Sequence, residues 1–234
     1  MTSTKGKKFT RKPKTLALVK KAVKTALHNE IEDKYLEKSP ALQLLSTNGA
    51  NAGILLNGMV SGSLTGLRVG REILNKHIQV RGYIYRESVA ACASQLLHVA
   101  LIYDREPNYV GITYANVFKQ YAGTSGPMAM PNVDDTGRFQ ILKQMRIFVP
   151  IQFTLIAGAV SQNESSLIQP QKYYFDWKVK LNKKTLYSAA GNAGTVADIN
   201  KGAIWMVYSS MIQDITPADT HSIHYQTRLL YEDA

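Results

Sequence analysis

The sequence predicts an all-β fold, a two-sheet antiparallel sandwich with a basic N-terminal arm and a short N-terminal α-helix. Three observations predict it. Over residues 172–181 the odd positions are apolar or aromatic and the even ones mostly charged, as a strand with one buried and one wet face requires. Strand-like runs recur at 73–85, 95–103, 138–149, 151–160, 203–211 and 223–231, with weaker ones at 54–60 and 185–187, enough for two packed sheets. Ahead of them, Lys5, Lys7, Lys8, Arg11, Lys12, Lys14, Lys20, Lys21 and Lys24 put nine cations and no acid into the first 24 residues.

The arm comes first in chain order. Residues 1–14 are small, polar and basic, with Pro13 near their end, and such a segment cannot bury enough apolar surface to offset its ordering entropy. From 15 to 38 the pattern changes: Leu16, Val19, Val23, Leu27, Ile31 and Tyr35 recur at three- and four-residue spacing, the helical period. One helix or two broken ones are expected there. Lys20 interrupts the apolar stripe and Ser39-Pro40 supplies the stop. A Gly- and Asn-rich stretch from Asn48 to Gly70 then leads into the period-2 runs, so the division is arm 1–14, helix 15–38 and sandwich 39–234. Within the sandwich the only helical hint is 114–121, one or two turns in a long connection.

Composition narrows the class. At 234 residues and 45% hydrophobic content, the chain can bury a full core in one domain. The single cysteine, Cys92, excludes an internal disulfide framework and points to a reducing compartment, cytosolic or nuclear. No run of eighteen apolar residues and no apolar signal region occurs, so no membrane partner and no secretory route are expected. The net charge of +11 is concentrated at one end: beyond the arm's nine cations, 19 remain against 17 acids. A polyanion is therefore the expected partner of the arm, while the nearly neutral body can pack against copies of itself.

Lysines and arginines spaced one to three apart can each meet a phosphate without a fixed geometry, with affinity drawn from released counterions. Nine such contacts give a single-strand salt slope of roughly −6. The same composition suits a solubility tail or a mitochondrial presequence, and Lys7-Lys8 with Arg11-Lys12-Pro13-Lys14 reads as a nuclear localisation signal.

Other chemistry is sparse. His221 and His224 are the only close histidine pair, but at a strand's start an i, i+3 pair points to opposite faces and no third ligand lies near in sequence. Cys92 sits in Ala90-Ala91-Cys92-Ala93, with no adjacent base or cation to activate it. Gly66-Leu67-Arg68-Val69-Gly70 lacks the ending of a phosphate-binding loop, and Asn163-Glu164-Ser165 is a sequon without a secretory route. No enzyme is expected. Phe175, Trp177, Trp205, Tyr208, Tyr225 and Tyr231 fall at alternating strand positions, which favours core or subunit contact over base stacking. Lys178 and Lys180, and Arg81 with His77 and Gln79, face outward, where they meet nucleic acid or water.

The segments Lys21-Ala22-Val23-Lys24, Asn57-Gly58-Met59-Val60-Ser61-Gly62, Arg68-Val69-Gly70, Ile78-Gln79-Val80-Arg81-Gly82, Ile102-Tyr103-Asp104-Arg105-Glu106-Pro107-Asn108, Val117-Phe118, Arg138-Phe139-Gln140-Ile141-Leu142-Lys143, Gly202-Ala203-Ile204-Trp205-Met206 and Tyr231-Glu232-Asp233-Ala234 occur along the chain in that order. In this order they resemble the single-jelly-roll coat proteins of small T=1 viruses, those of satellite tobacco necrosis virus and of circular single-stranded DNA viruses. The resemblance implies an eight-stranded antiparallel jelly roll, a sixty-copy shell of the chain itself, and the arm inside against a single-stranded DNA or RNA genome. About 540 positive charges would then point inward. The setting it implies is a virion, with host cytoplasm or nucleus during assembly; it names no host receptor. No cofactor is required, although the family can bind calcium between subunits, and Glu32 and Asp233 match such ligands by position, hard oxygen donors that suit the ion. The alternative from another class is a cellular single-strand-binding or ribosome-associated β module with a basic tail.

Overall fold

The computed structural model describes residues 18–19, 33–40, 43–45, 52–64, 66–86, 95–119, 129–135, 137–149, 172–189, 192–212 and 221–233. Most of the first unit, Met1–Glu32, lies outside them; of that unit only Leu18 and Val19 are described, both helical and exposed. The nine arm cations, Glu32, Cys92 and the expected strand at 151–160 also fall outside the described residues.

The second unit, from Asp33 onward, is built from two antiparallel sheets. One contains β1 (Asp33–Lys38), β2 (Gln43–Leu45), β4 (Glu72–Arg86), β9 (Tyr173–Tyr187), β10 (Ile199–Lys201) and β12 (His221–Asp233), in the order β1-β12-β4-β9-β10, with β2 also pairing β12. The other contains β3 (Ile54–Leu55), β5 (Gln95–Asp104), β8 (Phe139–Val149) and β11 (Ala203–Ile212), in the order β3-β11-β5-β8. Strands β6 (Phe118–Lys119) and β7 (Met130–Pro131) form a small separate pair, next to the helix α1 (Tyr114–Val117).

One apolar core joins the sheets. Ile78, Val80 and Ile84 of β4, Phe175, Trp177 and Leu181 of β9, and Ile223, Tyr225, Leu229 and Tyr231 of β12 share it with Val99, Leu101, Ile204 and Trp205 of the smaller sheet. In β9 the alternation read from sequence holds: Phe175, Trp177 and Leu181 are buried while Tyr174, Asp176, Lys178 and Lys180 are exposed. All six aromatics expected at inward positions are buried. Strands β5 and β11 are buried over nearly their whole length, and His98 of β5 bonds to Tyr114 of α1.

The expected helix at 15–38 is corrected at its end. Residues Asp33–Lys38 form β1, an edge strand in register with Thr227–Glu232. Tyr35 satisfied the three- to four-residue spacing, but Asp-Lys-Tyr-Leu-Glu-Lys also alternates, and pairing with β12 decides between the two. The boundary of the sandwich accordingly moves from residue 39 to Asp33.

Candidate nucleic-acid interface

The outer face of the larger sheet is a grid whose rows run across strands. His224 of β12, Tyr83 of β4 and Tyr174 of β9 are directly paired neighbours and form one row. The next rows are Gln226, Arg81 and Asp176, then Arg228, Gln79 and Lys178, then Leu230, His77 and Lys180. Because side chains alternate, each row lies about 6.7 Å from the next along a strand. The face thus grades from aromatic to cationic within about 20 Å.

At the aromatic end the rings touch. Tyr83 and His224 have ring centroids 5.1 Å apart and lie 17° from parallel. Tyr174 sits 5.8 Å from Tyr83 at a 51° tilt, and Tyr85 lies 5.9 Å from Tyr83 and 5.2 Å from His224. Lys172 places its ammonium 5.4 Å from the centre of the Tyr83 ring, inside cation–π range. Tyr174 is 75% exposed, unlike the buried tyrosines of the core, so its ring is available to a flat partner. A cavity of about 640 Å³ opens over this row, bounded on the β1 side by Ser39 and Pro40.

Charge on the face is unevenly spent. Arg81 donates to Asp176 at 2.8 Å and Gln79 to the same carboxylate at 3.0 Å, and these hydrogen bonds, Gln79's foremost, hold the Asp176 carboxyl below the usual carboxylate range. Arg228 donates to Glu37 at 2.6 Å, and Lys76 bonds Asp33 and Glu232. Among the described residues, Lys172, Lys178 and Lys180 have no acid within ion-pair distance. Chemically the face offers aromatic surface flanked by uncommitted ammonium groups.

Sequence reasoning identified Arg81, Gln79, His77, Lys178 and Lys180 as outward-facing, and their strand positions agree. It missed Tyr83, Tyr85 and Tyr174. Carrying the alternation of 77, 79 and 81 two steps further would have found the first two, and the even-numbered charged positions of β9 begin at Tyr174.

Asp233 behaves differently from a bare metal ligand. Its Oδ2 accepts from Lys34 Nζ at 2.7 Å and from the Val69 N–H at 3.3 Å, so Lys34 already balances its charge. Oδ1 is buried without a hydrogen-bond partner. Among the described residues no group of three or more His, Cys, Asp or Glu is close enough to hold a metal. His224 is part of the aromatic row.

No protein-family model matches the chain, and no curated protein matches it. One solved structure, that of infectious bursal disease virus Gx strain, is similar at 9% identity and a TM-score of 0.16, over 87% of this chain and 41% of that one. This chain spans about two-fifths of the length of that chain.

Proposed function

We propose that this chain is a non-enzymatic viral coat protein: the sandwich is an eight-stranded jelly roll that assembles into a small T=1 icosahedral shell, and the basic arm packages single-stranded nucleic acid. The observation that carries the reading is the strand order. With β1 and β2 taken as one interrupted strand, the main strands are β1/β2, β3, β4, β5, β8, β9, β11 and β12. First pairs with last, β3 with β11, β4 with β9 and β5 with β8, all antiparallel, which is the pattern of a long hairpin rolled into two sheets. Double-sheet jelly rolls of this kind serve in viral capsids, lectins and cupins, so fold alone does not select among them. The arm makes the selection: a nine-cation tail on a nearly neutral body separates cargo binding from assembly.

Electron microscopy of the purified protein is the test. Uniform hollow particles are expected, and monomers or small oligomers at both low and moderate salt would sink the reading. Deleting residues 1–24 is expected to abolish nucleic-acid uptake before it abolishes shell formation. A truncated protein that packaged RNA normally would remove the arm from its role.

The aromatic row favours one second reading, a cellular single-strand-binding or ribosome-associated module. That protein would stay monomeric or dimeric, and substitution of the outward aromatics would weaken binding more than deletion of the arm.

A further inference from the structure

We infer that the outer face of the six-stranded sheet binds unpaired nucleobases, with Tyr174, Tyr83 and His224 as the stacking platform and Lys172, Lys178 and Lys180 as partners for the flanking phosphates. This rests on the nucleic-acid part of the reading above and assigns a contact that the arm, which meets only phosphate, cannot make.

Three observations converge on this occupant. Aromatic surface is exposed on this face of β9 while the inner face buries it: Tyr174 is 75% exposed, and its neighbours Phe175 and Trp177 are at 8% and 6%. The Tyr83 and His224 rings lie nearly parallel, with Tyr174 beside them, so a flat ring laid on Tyr174 continues an existing aromatic row. The cations complete the match. Lys172 lies beside Tyr83, and Lys178 and Lys180 stand two and three rows from Tyr174 on the same strand, about 13 and 20 Å away. They are spaced for successive phosphates of a strand crossing the face, and the acids between them are already bonded to Arg81, Gln79 and Arg228. A second copy of the chain fits less well, because a two-fold contact would press this lysine-bearing face against itself, and its described acids, Asp176 and Glu37, are already bonded to Arg81, Gln79 and Arg228. Stacking tolerates any base, since every base has a π-face, so the contact distinguishes unpaired from paired nucleic acid without reading sequence.

The test uses the full chain and two labelled strands of equal length and charge, a short oligothymidylate and an abasic phosphodiester, with affinity read by fluorescence anisotropy across a salt series. Tighter binding of the oligothymidylate, by roughly tenfold and persisting at salt that weakens both strands, is expected. Tyr174→Ala is expected to erase that preference while leaving the abasic affinity unchanged, and Tyr174→Trp to restore it. Lys178→Ala with Lys180→Ala is expected to weaken both strands alike and to flatten the salt slope. Equal affinity of the unaltered protein for the two strands overturns the inference, and so does a Tyr174→Ala variant that keeps the preference. Loss of particles in Tyr174→Ala without any base preference in the parent assigns the face to subunit contact instead. A base preference in a protein that forms no particles would sink the coat reading and leave this one standing.

Discussion

At the scale of single residues, two buried polar groups are met in different ways, Asp104 by a counter-ion and His98 by neutral partners alone. Asp104, fully buried, accepts from Nε and Nη2 of Arg138 at 2.9 Å each and from the Glu106 N–H at 3.1 Å, so its desolvated charge is met on both oxygens. His98 has no such counter-ion. Its Nδ1 meets the Tyr114 hydroxyl at 2.6 Å and its Nε2 the Gln144 amide oxygen at 3.0 Å, and burial, reinforced by the charge of Arg146, pushes the imidazole down to about 4. An unfolded chain takes up this proton near pH 6.5, so stability is complete above that value and drains away as pH falls toward 4, by up to about 3 kcal/mol. Urea unfolding at pH 7 and 4.5 checks this against His98→Gln, whose stability should change less between the two conditions. Matching pH dependence in parent and variant would show that His98 takes no part.

At the scale of elements, Asn57 replaces strand pairing with its side chain. The sequence suggests a strand over 54–60, but only Ile54–Leu55 pairs, because Asn57 turns inward and is fully buried. Its Nδ2 donates to Thr185 Oγ1 and to the Gly202 carbonyl at 2.8 Å each, its Oδ1 accepts from the Ile204 N–H at 2.8 Å, and its own carbonyl accepts from the Tyr187 hydroxyl at 2.5 Å. One side chain thereby ties β9 of one sheet to β11 of the other. Gly202, at φ +79°, is part of the same knot, since a Cβ there would strike the Lys184 carbonyl. Asn57→Ala is expected to cost about 3 kcal/mol, because it strands the Ile204 N–H in the core as well as losing its own bonds; the denaturation midpoint measures it.

Legibility follows from whether local pattern and tertiary partner agree. Strand β9 was readable to Leu181 because its alternation is strict; beyond it burial keeps alternating, but Asn182, at φ +48°, and Lys183 at an odd position interrupt the apolar pattern of the sequence, so residues 185–187 read as a separate weak strand. Strand β1 was unreadable because nothing local chooses strand over helix until β12 lies alongside. Of the interface, the outward cations were visible from alternation alone. The aromatic row was not, because it is assembled from three strands far apart in sequence and only their register brings the rings together.

At the scale of the whole molecule, the two sheets differ in what they leave uncovered. Both faces of the smaller sheet's central strands are packed, while the larger sheet keeps an open outer face on which Lys172, Lys178 and Lys180 have no acid within ion-pair distance among the described residues. On the coat-protein reading proposed above, this face would line the inside of the shell, where like-charged lysines gain most from a polyanion. The edge strand adds a second asymmetry. Strand β1 covers β12 with its main chain and anchors itself through Lys34 to Asp233 and Glu37 to Arg228, so the chain is divided at Asp33 far more sharply than its composition suggests. Proteolysis or truncation up to residue 32 should leave a soluble, cooperatively unfolding sandwich. Six residues further, the N–H and C=O groups of β12 lose their cover, and the same protein should turn into one that recruits strands from its neighbours and precipitates. Thermal scans and light scattering on chains starting at residues 33 and 39 would separate a detachable arm from a strand that keeps the sheet closed to its own kind.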